Sequence, residues 1–504
     1  MTETGEARHV IQARKEKLRR LRDLGIEPYA YRFEPSCKAA EAIKAFEELG
    51  ESAEVNCRLA GRIRSLRPHG KTTFGHIEDP SGKIQVYLRR DTLGEAGYEL
   101  VQLLDLGDWI GVEGQVFRTR TGEVTLRTDR IELLAKTVRP LPFGKEDTDE
   151  SGRPVIHGGF SDVENRYRQR YADLAVHADV REIFIARTRV IQEIRSYLDG
   201  LGFMHVETPV LQPIYGGATA RPFKTYHRAL DTELFLRIAD ELYLKRLIVG
   251  GLERVYEIGK VFRNEGIDRT HNPEFTMLEL YQAYADYEDM MELTEGLLHH
   301  VAVEGTGSSE VVYQGEAIDF KRPWKRMSWY EALEHYGGVD VSRLAGEGLR
   351  QAALDAGVED ADTKGRAALL DGLFKVLVEE KLVGPVIIFD YPVELSPLAK
   401  HKRGGEMTLT ERFEVFVAGG ELANAFSELN DPFEQRARFE AQVRMREEEG
   451  WEEAHQIDED YITALEYGMP PTGGMGLGID RLVMVLTDRA SIREVILFPT
   501  LRPE

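Results

Sequence analysis

Glu274-Phe275-Thr276-Met277-Leu278-Glu279-Leu280-Tyr281 reads as a β-strand with two unlike faces. Period two sets Phe275, Met277, Glu279 and Tyr281 on one side and Thr276, Leu278 and Leu280 on the other. A half-buried sheet alternates as well, but it rarely places a carboxylate between Met277 and Tyr281 on an apolar face. Upstream, Arg254-Val255-Tyr256-Glu257-Ile258-Gly259-Lys260-Val261-Phe262-Arg263 forms a second strand, and the connecting loop carries Arg269 and His271. An aromatic, a carboxylate and a phenol beside these cations predict the floor of a nucleotide site.

A second strand pair lies further on. Arg412-Phe413-Glu414-Val415-Phe416-Val417 and Glu421-Leu422-Ala423-Asn424-Ala425-Phe426-Ser427-Glu428 flank Gly419-Gly420. Asn424, Phe426 and Glu428 share a face, whereas strict parity puts Glu421 on the other. Glu414 and Glu421 serve one site only if the pairing is irregular near the glycines. The run Gly473-Gly474-Met475-Gly476-Leu477-Gly478-Ile479-Asp480-Arg481 then approaches an apolar helix, which suits phosphate contact with Arg481 as a fixed cation. Alone, such a run is a weak signal. Gly70-Lys71-Thr72 only mimics a P-loop, because Ser65 replaces its first glycine, and no nucleophile elbow or zinc helix appears.

Outside this block the chain changes character. Residues 1–54 read as a helical extension with Arg14, Lys15, Lys17, Arg19, Arg20 and Arg22 between apolar positions, a solvated face before it is an RNA-binding one. Residues 55–140 show short alternating runs split by turns, which suits an OB-type barrel. Residues 141–160 look like a charged linker, with Asp149, Glu150, Gly152 and Pro154, and 161–504 form one large α+β block with a helical insertion at about 325–385. The 504 residues suffice for about three domains, and a 42% hydrophobic content excludes a mostly disordered chain. The formal charge of −22 argues against nonspecific coating of nucleic acid. Two cysteines, no apolar run long enough for a membrane span and no signal peptide point to the cytoplasm.

The arrangement resembles the bacterial lysyl-tRNA synthetases of class II. The resemblance spans the barrel to Ile496-Leu497-Phe498-Pro499. It rests on Arg166-Tyr167-Arg168-Gln169-Arg170-Tyr171, Gly202-Phe203-Met204, Ala239-Asp240-Glu241-Leu242-Tyr243-Leu244-Lys245, Phe262-Arg263-Asn264-Glu265-Gly266 and Ala425-Phe426-Ser427-Glu428-Leu429-Asn430-Asp431. It implies an N-terminal OB-fold anticodon-binding domain, a catalytic domain on an antiparallel sheet, and a homodimer with Pro209 at its interface. It further implies that ATP meets Arg263, His271, Phe275, Gly478 and Arg481, with Arg263 and Arg481 catalytic. The lysine substrate meets Gly217, Glu241, Arg263, Glu279, Tyr281, Asn424 and Glu428, magnesium (Mg2+) meets Glu414 and Glu421, and the anticodon of tRNA(Lys) meets Phe74 and Gln85. Two departures stand out: Arg130 falls where the family carries a glutamate in the last barrel strand, and Thr270 where some relatives carry arginine, with Arg269 as the expected substitute.

Within that family type, an aspartate pocket needs a cation where this chain offers Glu428, so lysine is expected over aspartate or asparagine. Paralogues that lysylate a translation factor lack the barrel read here. A non-enzymatic RNA-binding descendant would not be expected to keep Arg263, Glu414, Glu421 and Arg481 together.

Overall fold

The structure is a computed structural model, and it describes residues 5–148, 154–157, 159–218, 220–405, 408–449 and 457–503. The chain divides into two compact units, Met1–His177 and Ala178–Glu504.

In the first unit, helices α1 (Gly5–Asp23) and α2 (Ala39–Leu49) precede the strands β1 (Asn56–His69), β2 (Thr72–Asp79), β3 (Gly82–Arg89), β4 (Trp109–Arg118) and β5 (Val124–Ala135), with helix α3 (Arg90–Leu103) between β3 and β4. These close into an OB-fold barrel in the order β1-β2-β3-β5-β4, with β4 returning to β1. Alternation builds it: Leu59, Ile63, Ile77, Ile84, Val86 and Leu88 point into the core, while Phe74, His76, Gln85 and Tyr87 occupy the intervening, outward positions. Two of the basic residues of α1 have structural work. Arg14 is buried and donates to Leu106 O at 3.0 Å and Thr137 O at 3.2 Å, and Lys17 pairs with Asp105 at 2.7 Å. Of the expected linker, Asp149, Glu150 and Gly152 lie outside the described residues, while Lys145–Thr148 and Pro154–His157 pair as an antiparallel ribbon. Residues 161–177 group with the barrel unit, where Arg64 donates to Ala175 O at 3.0 Å.

The second unit is built on an eight-stranded sheet. Its strands are β6 (Met204–His205), β7 (Arg254–Phe262), β8 (Glu274–Ala283), β9 (Lys325–Ser328), β10 (Val386–Phe389), β11 (Arg412–Val417), β12 (Gly420–Ser427) and β13 (Thr472–Gly478), in the order β9-β10-β11-β12-β13-β8-β7-β6. All neighbours are antiparallel except the outermost pair at each edge. The opposite face of β8, Leu278 and Leu280, joins one core with residues of α4 (Ala178–Gly200), α6 (Tyr287–Thr306) and α7 (Ile479–Leu486); α5 (Glu241–Val249) belongs to another cluster. Between β9 and β10 the chain is helical, at Trp329–Ala332, Glu347–Asp355 and Arg366–Leu377, around its own core. Thus the sheet has one face sealed by helices and the other free to line a cavity.

Candidate active site

That cavity has a volume of about 540 Å³. It is lined by Gly217, Glu241, Arg263, His271, Phe275, Glu279, Tyr281, Glu414, Glu421, Asn424, Glu428, Gly478 and Arg481, so the structure brings together every site residue expected of the large block. Along β8 the chain rises ~3.4 Å per residue, which separates Phe275 from Tyr281 by about 20 Å. One strand therefore carries groups for both ends of an extended ligand.

The acidic end is built from α5, β8, β12 and β13. Glu428 and Glu241 are buried, and both pair with the ammonium of Lys245, itself fully buried on α5. Glu428 Oε1 has no hydrogen-bond partner among the described residues. It faces Gly474, where a Cβ would lie 2.0 Å from that oxygen and 2.5 Å from the Tyr281 ring. The glycine run is therefore not a phosphate loop. Gly473, Gly474 and Gly476 sit within β13, in the middle of the sheet, and at Gly474 the missing side chain makes room for Glu428 and Tyr281. Only Gly478 and Arg481 reach the helix start that the sequence suggested. Glu279 accepts from Asp240 N at 3.0 Å and from Tyr281 Oη at 3.1 Å. Burial, and next the charge of Glu241, push the Glu279 carboxyl up to about 7. Gly217 has φ +86, and a Cβ there would lie 2.9 Å from Ala239 Cβ, so glycine keeps this wall open.

At the other end, Arg263 is held loosely, 3.4 Å from Ile238 O and 3.8 Å from Met277 Sδ, with its guanidinium over the Phe275 ring at 5.1 Å. Arg481 donates to Glu421 O at 2.7 Å and lies 3.5 Å from His271 Nε2. Asp268 anchors the other face of His271, with Oδ2 2.8 Å from Nδ1. Thr270 lines the cavity, whereas Arg269 does not. Asp480 ties these elements together: it pairs with Arg187 at 2.5 Å and accepts from Thr276 N at 2.6 Å, the amide beyond the last rung between β8 and β13.

Glu414 and Glu421 reach one cavity because the β11–β12 ladder is irregular. Val415 pairs with Ala423 but Phe416 with Glu421, which leaves Leu422 over as a bulge and returns Glu421 to the face of Glu414. The turn itself holds Ala418 at φ 51 and Gly419 at φ 75, both left-handed, which suits a tight hairpin. Arg412 donates to Glu414 Oε1 at 2.5 Å and to Asn424 Oδ1 at 3.0 Å, which leaves the Asn424 amide nitrogen for an acceptor in the cavity.

On the barrel, Gln85 and Phe74 occupy adjacent outward positions of β3 and β2, and Phe74 rests on Tyr87 with ring centroids 4.6 Å apart. Gln85 Nε2 donates to Glu123 Oε2 at 2.6 Å, and His76 Nε2 lies 2.7 Å from Glu123 Oε1. A carboxylate does stand beside Gln85. It is Glu123, just before β5, whereas Arg130 sits opposite Glu113. Sequence reading missed Glu123, Arg412, Asp480 and Lys245. Only Lys245 left a trace, its spacing of four from Glu241 on an apolar helix.

A family model described as tRNA synthetases class II (D, K and N) matches residues 162–502, and one described as OB-fold nucleic acid binding domain matches residues 57–134. The lysine–tRNA ligase of Carboxydothermus hydrogenoformans is 53% identical over 499 residues, 99% of each chain. That of Moorella thermoacetica is 52% identical over 496 residues, 98% of each. The chain belongs to the lysine–tRNA ligase family of class II aminoacyl-tRNA synthetases. The lysine–tRNA ligase of Bacillus subtilis is likewise similar, 49% identical over 497 residues, covering 98% of this chain and 97% of its own. Among the described residues no helix is long and apolar enough to cross a membrane.

Proposed function

We propose that the cavity of the second unit activates L-lysine with ATP and passes the lysyl group to the 3′ end of tRNA(Lys). In the first step a lysine carboxylate oxygen attacks the α-phosphorus and the bond to pyrophosphate breaks. In the second, a terminal tRNA hydroxyl attacks the acyl carbon and AMP leaves. The observation that carries this reading is Glu428 Oε1, a buried acceptor without a partner at the end of a cavity whose other end holds Arg263, His271 and Arg481.

The lysine ammonium sits against Glu428, Glu241 and Tyr281, its α-ammonium against Glu279, and its carboxylate meets Gly217, Asn424 and Arg263. A neutral side chain would leave Glu428 unpaired, and mismatches of that kind reach about 10⁴–10⁵ in discrimination. Phe275 stacks on adenine, Arg263 bridges the attacking carboxylate and the α-phosphate, and Arg481 with His271 holds the outer phosphates. The substrate carboxylate is already ionised, so positioning and charge stabilisation suffice without a general base.

Glu414 and Glu421 fit a magnesium ion. Burial pushes Glu414 up to about 7, with Arg412 opposing it and Glu421 adding to it, and a hard cation would draw the Glu414 carboxyl to its charged form. When bound, magnesium supplies positive charge to the phosphate oxygens. Phe74, Gln85 and Glu123 read an anticodon base on the barrel. A homodimer through the region of Pro209 is supported by exposed Met204, Val210 and Leu211 around the two-residue edge strand β6, and the cytoplasm is the expected compartment.

ATP–pyrophosphate exchange across the amino acids tests the reading. Lysine alone should drive exchange, and both EDTA and Arg481→Ala should stop it. Exchange with aspartate or asparagine and none with lysine would sink the assignment.

A further inference from the structure

Behind the pocket proposed for the substrate ammonium lies another, buried one. Lys245 has no exposed side-chain surface, and its Nζ pairs with both Glu241 and Glu428. It lies 5.3 Å from the centroid of Phe426 and 5.8 Å from that of Tyr281, two further lining residues. Burial works against its charge, but Glu241 and Glu428 outweigh that and hold the amine above its ordinary range. An ammonium enclosed by two carboxylates and two rings has no role in stabilising the surface. Its partners Glu241, Glu428, Tyr281 and Phe426 all line the cavity.

The division of oxygens shows what it does. Glu428 gives Oε2 to Lys245 and leaves Oε1 facing Gly474 and Tyr281. Glu241 gives Oε1 to Lys245, while its Oε2 is turned toward Gly217. Burial pushes the carboxyls of Glu428 and Glu241 up and Lys245 opposes it; with both charged, two carboxylates and one internal cation leave a single negative charge, the complement of one substrate ammonium. Without Lys245, two buried carboxylates would face each other unpaired, and each would turn away or take a proton.

We propose that Lys245 is a positioning residue for amino-acid selection: it ties together the inner oxygens of Glu241 and Glu428, so that the outer oxygen of Glu428 meets the incoming amine. This rests on the lysine-activation reading above. The role is confined to the amino-acid end, because Arg263, Arg481 and His271 hold the nucleotide without it.

Lys245→Met keeps the length of the stem and removes the charge. In ATP–pyrophosphate exchange, KM for lysine should rise about tenfold or more, while KM for ATP stays within about twofold and kcat falls less than about threefold. Adding Glu241→Gln to Lys245→Met restores one net negative charge, so the double variant should lose less than the product of the two single losses. An unchanged lysine KM in Lys245→Met, or losses that simply multiply, overturns the role. Should Lys245→Met be insoluble, the double variant decides. Soluble protein with lysine-dependent exchange supports charge pairing, and insolubility of both variants overturns it in favour of packing alone. Absence of lysine exchange in the wild-type protein would remove the underlying reading instead, whatever the variants do.

Discussion

In the function proposed above, Glu428 is the residue on which selectivity turns. Glu428→Gln keeps the shape and removes the charge, and KM for lysine should rise by about 100-fold or more, measured by exchange, since charge-assisted pairs in buried sites are the strong ones. Glu279 adds a pH dependence. With its carboxyl pushed up to about 7, it carries a proton below that value and offers no charge to an α-ammonium. Accordingly kcat/KM for lysine should rise with pH through about 7, and Glu279→Gln should flatten that limb. The sign for stability is the reverse. A folded-state value raised from 4.5 means that the folded protein binds the proton more tightly, so the contribution of Glu279 declines as pH climbs from 4.5 to about 7. Phe275, Met277, Glu279 and Tyr281 were legible because a strand repeats every two residues and a carboxylate on an apolar face is conspicuous. Lys245 was not, because a lysine four residues from a glutamate is the ordinary pattern of a solvated helix face. Gly474 was misread, since nothing local distinguishes a glycine that cradles a phosphate from one that makes room for a carboxylate across the sheet.

Among the elements, β12 and α7 do the most to assemble the site. The bulge at Leu422 brings Glu421 into phase with Glu414, and the irregularity lies near Gly419-Gly420, where parity required it. Deleting Leu422 should close the bulge and keep Glu421 opposite Phe416 on the face of Glu414, so pyrophosphate exchange should persist within about tenfold, whereas Glu421→Ala should lower it by about 100-fold or more even in excess magnesium. Asp480 joins α7 to α4 and β8 through contacts more than 200 residues apart in sequence, which no reading of local pattern detects. Asp480→Asn keeps the shape but strips the half-buried Arg187 of its counter-charge. It should lower stability by about 3 kcal/mol in denaturant titration, because breaking one side of a buried pair leaves the other uncompensated.

For the whole molecule, the division into a barrel unit and a catalytic unit separates two kinds of recognition. Gln85→Ala should raise KM for tRNA by about tenfold, in line with the loss of one base contact, and leave the amino-acid preference as it was. Because the chain carries −22 overall, its contacts with tRNA depend on local cations, and KM for tRNA should climb steeply between low and physiological salt, while lysine activation changes little. The barrel and the antiparallel sheet were readable from alternation and turns. The partner of Gln85 was not, because Glu123 lies 38 residues away, and only closure of the barrel brings it near. At the centre of the large sheet, the wall behind the site proposed for the substrate amine is bare main chain at Gly474. Main chain has no rotamers to relax, so the reach from carboxylate to amine is gauged by something rigid. A homologue one methylene shorter would stop short of Glu428.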